Sequence, residues 1–226
     1  MTKFFRFPHT PHLAWLGSGL PRDDKILSQG EATKLLSHNV VIEEKLDGAN
    51  LGVSADENGK LRLQNRGQYL LPPFAGQFSR VAAWLAKHEF ELSPALGNHL
   101  ILFGEWCAAR HSVSYDHLPD WFLAFDVYDR ANGRFWNVNR RDEWLDRVGV
   151  TAVPTLTMGR TTLDKAKALV MAGTSRSGNG PLEGIVIRRD EGKFLEQRAK
   201  LVRPDFTQEI GEHWRGRRIE WNRVAA

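Results

Sequence analysis

Short apolar runs of strand length recur along this chain, and several of them end or break on a charged residue. The first is the stretch Val40-Val41-Ile42-Glu43-Glu44-Lys45-Leu46-Asp47-Gly48-Ala49-Asn50-Leu51-Gly52-Val53. Its β-branched start reads as a strand, and charge then appears abruptly. Lys45 falls where that strand should end, Gly48 permits a tight turn, and Leu51 to Val53 lead away as a second apolar run. A lysine held between a buried strand and a turn is a candidate nucleophile, because burial beside other cations lowers an ammonium pKa. The plainer alternative is a strand end whose lysine pairs with Asp47 or Glu44.

The rest of the chain supplies the layers. Residues 23–38 read as a short helix ending near Ser37. Asp56 to Lys60 form a hairpin turn in which Asn58-Gly59 supply positive φ, and Leu61 to Arg66 return as an alternating strand. Residues 75–91 carry a helical face of Phe78, Val81, Ala82, Leu85 and Ala86. His99 to Trp106 and Trp121 to Asp129 are strands, and Ala131-Asn132-Gly133 turn the second into Phe135 to Val138. Asn139 caps a helix to about Val148, Thr162 caps another to about Met171, and Thr151 to Thr157 between them is a short strand. Glu183 to Arg189 and Phe194 to Val202 are the last strands. Hairpins and short strands interleaved with helices predict an α+β fold of mostly antiparallel sheets flanked by helices.

Composition sets outer limits. At 226 residues the chain can hold one large domain with a tail, and its formal charge of +4 suits a polyanionic partner without demanding one. Its one cysteine, Cys107, excludes a disulfide framework and reads as a core residue. No apolar run reaches the length of a membrane span and no secretory leader is legible, so a cytoplasmic protein with no membrane partner is expected. In residues 2–22 aromatic and basic side chains alternate among prolines. Such an arm stacks on bases or is pinned to the core by its phenylalanines.

Glu105, Asp126 and Glu183 each interrupt an apolar strand. Burying an unpaired charge is costly, so these acids either form structural ion pairs or face a polar cleft. Clustered acids in a cleft hold Mg²⁺ and clustered bases hold phosphates. Lys45-Leu46-Asp47-Gly48 resembles the first motif of the covalent nucleotidyltransferases, the superfamily of DNA ligases, RNA ligases and mRNA capping enzymes. Phe103-Gly104-Glu105, Phe122 to Asp126, Leu182 to Ile187 and Arg198-Ala199-Lys200 resemble its later motifs, in order, over roughly residues 40–206. Within the superfamily the chain is most similar to ATP-dependent RNA ligases of the nick-sealing repair type. Asp47 departs from the histidine many of that group carry, and Arg198 from a lysine.

The resemblance implies an ATP-grasp-like ligase adenylation domain over 1–206, with the N-terminal arm, and no OB domain. It implies ATP, held as covalent AMP on Lys45, with Mg²⁺ or Mn²⁺. Lys45, Asp47, Lys200 and Arg198 are then catalytic. Glu44, Asn50, Arg66, Glu105, Phe125, Glu183 and Lys200 join Lys45 in holding the nucleotide, with Phe125 on the purine or in the core. Asp126 and Glu183 bind the metal. The partner implied is RNA with 5′-phosphate and 3′-hydroxyl ends, in a nicked duplex, prepared by an end-healing kinase or phosphatase. Residues 207–226 are expected to be a helical tail whose Arg215, Arg217 and Arg218 face a phosphate backbone, or whose Trp214 and Trp221 pack on the core, and which self-adenylation does not require. A DNA ligase, another nucleotidyltransferase (one acting on protein included) and a non-catalytic nucleic-acid-binding module are the alternatives.

Overall fold

The computed structural model describes residues 4–19, 25–208 and 218–225. Two antiparallel sheets organise them. β1 (Val40–Lys45) is an inner strand of a four-stranded sheet, with β8 (Thr155–Gly159) on one side and β9 (Gly184–Glu191) on the other. β10 (Phe194–Val202) pairs with β9 and ends that sheet. The six-stranded sheet runs β4 (Tyr69–Leu70), β3 (Leu61–Gln64), β2 (Ala49–Ala55), β5 (Leu100–Trp106), β6 (Phe122–Asp129), β7 (Arg134–Phe135). Between Lys45 and Ala49 the chain therefore leaves one sheet and enters the other.

Helices cover the outer faces. α2 (Val81–Leu96) and α3 (Val138–Val148) bury Trp84, Leu92, Trp144 and Leu145 against Leu51, Val53 and Leu102 of the six-stranded sheet. α1 (Gln29–Leu36) and α4 (Leu163–Ala172) bury Leu35, Ala166 and Val170 against Ile42, Ile185 and Ile187. Local chemistry sets the helix starts. Ser28 Oγ accepts from Glu31 N–H and Glu31 answers to Ser28 N–H at 2.7 Å, a reciprocal cap on α1. Thr162 caps α4 as its sequence predicts.

Several expectations are corrected. α2 runs through Pro94 to Leu96 and buries Val81, Trp84, His88, Leu92 and Leu96, while Ala82 and Ala86 are exposed. The bulky Trp84 and His88, stacked at 4.6 Å, claim the face that alanines had suggested. The cap of α3 is Asn137, which accepts from Arg140 N–H at 2.8 Å, so Val138 is helical rather than strand. β8 begins at Thr155, not Thr151.

The N-terminal arm is pinned. Phe5 stacks on Tyr128 at 3.7 Å and Phe7 is buried among Phe103, Phe125 and Phe135. Of the expected helical tail, residues 204–208 are helical as α5 (Pro204–Gln208), and residues 218–225 run without helix, with Trp221 paired to Ala109 and Arg80 4.1 Å over its ring. Trp214, Arg215 and Arg217 lie outside the described residues. Among the described residues no helix is long and apolar enough to cross a membrane.

Candidate active site

Strand alternation decides which side chains reach the space between the sheets. In β1, Val40 and Ile42 point to the α1 and α4 core, so Glu44 points that way too. Its carboxylate accepts from Ser175 Oγ at 2.5 Å and Arg176 N–H at 2.9 Å. That carboxylate pins the loop before β9, and Glu44 is also among the residues that line the cleft described below. Glu43 and Lys45 take the other face. By the same rule β9 presents Val186 and Arg188, and β10 presents Arg198 and Lys200, to the cleft. These residues, with Asn50, Arg66, Glu105, Phe125 and Asp126 from the six-stranded side, line a cleft of about 710 Å³.

Lys45 stands at the strand end opposite Gly184, with Nζ 2.6 and 2.7 Å from the two oxygens of Glu183. Burial alone lowers an ammonium pKa, but Glu183, Glu105 and Asp47 reverse that and hold Lys45 protonated above its ordinary value. The sequence expectation of a lysine depressed by neighbouring cations is therefore corrected: its nearest charges are acids. Burial pushes Glu183 up to about 8 and Glu105 up to about 7, with Lys45 pulling down and Asp47 pushing up in both cases. Gly184 must lack a side chain, since a Cβ there would meet Leu201 O at 2.4 Å.

The turn after Lys45 is held rather than loose. Glu105 Oε1 accepts from Gly48 N–H at 3.1 Å. A Cβ on Gly48 would sit 2.5 Å from Trp106 O, so the glycine is required by close approach to β5. Asp47 Oδ2 accepts from Ser112 N–H at 2.6 Å and Val113 N–H at 2.9 Å. Its carboxylate organises the loop after β5 instead of facing the cleft, which corrects its expected catalytic place.

Asp126 is also corrected. The β5–β6 register slips between Phe103 and Gly104, leaving Phe125 as an extra residue in β6. That bulge aims both Phe125 and Asp126 inward and frees the Phe125 carbonyl, which accepts from Arg141 at 2.7 Å and Arg188 at 3.0 Å. Asp126 accepts from Arg188 at 2.8 Å and from Arg198, and is 1% exposed. Both its oxygens are committed to arginines, so it forms the structural ion pairs that were the alternative to metal binding. Arg198 in turn lies between Phe7 and Phe135, 4.5 and 4.6 Å from their rings, as part of the floor.

Glu43 and Arg141 meet at 2.7 Å behind this floor, and Arg141 also reaches Asp142 at 2.7 Å. Arg188, Arg141 and Glu43 were not singled out by sequence. For Glu43 and Arg188 the inward face of β1 and β9 was the signal; Arg141 comes from the buried face of α3. His111 and Gln77, joined at 2.8 Å, are further cleft residues that sequence missed. Asn50 Oδ1 is buried without a hydrogen bond, an acceptor that suits an incoming donor.

Among the described residues, no group of three or more His, Cys, Asp or Glu side chains is arranged to hold a metal ion. A magnesium-type ion brought by phosphates needs only one or two carboxylates. Lys45 contacts Glu183 and feels the charge of Glu105, while Asp47, turned to its loop, adds to their field; carboxylate oxygens of the Glu183 and Glu105 kind fit such an ion.

The RNA ligase family model matches residues 38–202 of the chain. Among solved structures, Naegleria gruberi RNA ligase with pyrophosphate superposes with a TM-score of 0.65 at 20% identity, covering 93% of this chain and 65% of that one. A single-residue variant of the same ligase with ATP and Mn gives 0.66 at 19% identity, with 93% and 59% covered. Another, with AMP and Mn, gives 0.62 at 19% identity, with 93% of this chain and 66% of that one covered. At these identities the likeness is one of fold, and the chain spans 59–66% of the length of these structures. No curated protein matches the chain.

Proposed function

The chain belongs to the RNA ligase family, and from that premise we propose that it is an ATP-dependent RNA ligase working through a lysyl–AMP intermediate. The observation that carries the reading is Lys45, at a strand end between two sheets, gripped by Glu183 in a cleft that also holds Lys200 and Arg66. The Naegleria gruberi structures with ATP, AMP and Mn support the choice of nucleotide and metal.

Lys45 must lose a proton before it can attack, and Glu183 is the acceptor in contact with it. Nζ then forms a bond to the α-phosphorus of ATP while the bond to the bridging oxygen breaks and pyrophosphate leaves. A 5′-phosphate oxygen of RNA next displaces the lysine from that phosphorus, and Nζ regains its proton. Finally a 3′-hydroxyl oxygen attacks the 5′-phosphorus, AMP departs and the strand is sealed. Lys200 and Arg66 offset the charge that develops on phosphate oxygens. Phe125 offers a ring to the purine, and Asn50 an acceptor to a base or ribose donor. Glu183 would hold Mg²⁺ or Mn²⁺, which supplies charge neutralisation on the triphosphate.

RNA with 5′-phosphate and 3′-hydroxyl ends in a nicked duplex, an end-healing kinase or phosphatase partner, and a cytoplasmic location complete the proposal. Incubation with α-labelled ATP and Mg²⁺ tests it. Label should stay with the denatured protein and pass to a 5′-phosphorylated nick, and absence of covalent label from folded protein would overturn the reading.

A further inference from the structure

The turn that carries the nucleophile is held by the loop between β5 and β6, and that loop is held by residues 218–225. Tyr115 makes the first link: its Oη accepts from Asp47 N–H at 2.8 Å, two residues after Lys45. Asn222 makes the second. Its Nδ2 donates to Cys107 O at 2.7 Å and Ala109 O at 3.3 Å, and its Oδ1 accepts from Tyr115 N–H at 3.0 Å. A primary amide offers two donors and one carbonyl acceptor, and all of these are spent on the backbone of one loop. Asn222 is 3% exposed and Tyr115 1%.

Backbone bonds run beside this staple. Arg110 N–H donates to Glu220 O at 2.8 Å, Asn222 N–H to Ala108 O at 3.0 Å, and Arg223 N–H to Tyr115 O at 2.9 Å. The apolar contacts follow the same route, since Leu46 shares one buried cluster with Cys107, Tyr115 and Leu118, against which Val224 packs. Lys45 is thus followed by a residue locked in the loop's core and by one locked to the loop's tyrosine. Asn222 and Tyr115 are outside the set of residues that line the cleft.

We infer that Asn222 and Tyr115 are positioning residues for nucleotidyl transfer, which act by fixing where the Lys45–Gly48 turn stands relative to the α-phosphate. The inference rests on the lysine-nucleophile reading above, and it reverses the expectation that the tail is dispensable for lysine chemistry. Misplacing a reacting group by about 1 Å costs on the order of 100-fold in rate, whereas the nucleotide-facing Asn50, Arg66 and Lys200 stand outside this staple.

The test uses the full chain and measures single-turnover lysyl–AMP formation across ATP concentrations. Asn222→Ala and Tyr115→Phe should each lower the maximal rate by roughly 10- to 100-fold, with the half-saturating ATP concentration changed far less. The double variant should be no slower than the worse single one, because both act on one link. Leu92→Ala, in the α2 core away from this loop, is the control for general destabilisation and should lose thermal stability while keeping its maximal rate. Wild-type rates in folded Asn222→Ala and Tyr115→Phe, or losses no larger than that of Leu92→Ala at equal Tm, overturn the inference. If Asn222→Ala does not fold, Tyr115→Phe, which removes a single oxygen, decides alone. Absence of label in the wild type would sink the nucleophile reading instead. The staple is then read from amide hydrogen exchange at Asp47 and Gly48, which should rise in Tyr115→Phe and not in Leu92→Ala, and unchanged exchange overturns it.

Discussion

Among the described residues, three arginines meet three carboxylates behind Phe125, while Lys45 contacts one carboxylate and stands among three, with the Arg66 guanidinium near enough to act on Glu105. In the first cluster Arg141, Arg188 and Arg198 are matched by Glu43, Asp126 and Asp142, and only Asp142 is much exposed. In the second, Lys45 is shared by Asp47, Glu105 and Glu183, and burial raises the pKa of both glutamates. A balanced buried network is finished within the protein. An unbalanced one suits a cation from outside the chain, the role that the proposed function gives to Mg²⁺ or Mn²⁺. Residue type does not separate the two regions, since both are carboxylates and bases at strand ends. Partner count does.

The contrast is most open to attack at Lys45. Lys45→Ala should abolish covalent AMP attachment while the protein stays folded, as read by labelling beside circular dichroism; no other cation has its place at the strand end. Asp126→Ala should act on the opposite property. It strands Arg198 without its counter-charge and leaves Arg188 only Glu43 at 3.7 Å, and breaking a buried pair costs about 3–5 kcal/mol, so calorimetry should show a Tm lowered by roughly 10 °C. A Tm near that of wild type with adenylation lost would move Asp126 into the unbalanced cluster.

Glu183→Gln sharpens the comparison. It removes the grip on the lysine ammonium, so AMP formation should fall on the order of 100-fold, but it also removes one of three crowded acids, so the Tm should drop much less than in Asp126→Ala. The smallest effect belongs to Glu105. Its folded pKa of about 7 lies above its ordinary 4.5, so the folded state binds the proton more tightly. The stability it contributes is therefore present below about pH 4.5 and lost as pH rises through about 7. Between pH 5 and 8 the wild-type Tm should decline more steeply than that of Glu105→Gln, and parallel profiles would remove Glu105 from the acid-rich centre.

Much of this was legible in the chain itself, and the misses have local causes. Lys45, Glu105 and Glu183 could be found because each sits where an apolar run ends, and the fold brings strand ends together. Glu44 lines the cleft, but its carboxylate is turned to Ser175 and Arg176, a direction that Val40 and Ile42 on the same strand face already indicated. Asp126 was misread because its geometry depends on the extra residue at Phe125, which leaves no mark in hydrophobic periodicity, and on arginines 62 and 72 positions away. Asp47 looked catalytic for its place in the motif, yet its partners are backbone amides of Ser112 and Val113, which no pattern of side chains announces. The same holds for Asn222, whose three contacts are all to main chain.

The position of β1 also bears on how the molecule comes into being. Its neighbours in the sheet are β8 and β9, and Gly184, opposite Lys45, is 139 positions later (184 − 45). On a ribosome adding roughly 5–20 residues per second, the strand that bears Lys45 waits on the order of ten seconds for its second neighbour. Through that interval Val40, Val41 and Ile42 form a bare apolar edge, of the kind that seeds aggregation. The Glu43-Glu44-Lys45 charges that follow them act as gatekeepers while the strand waits. The charges that anchor the finished strand end thus also guard the nascent chain.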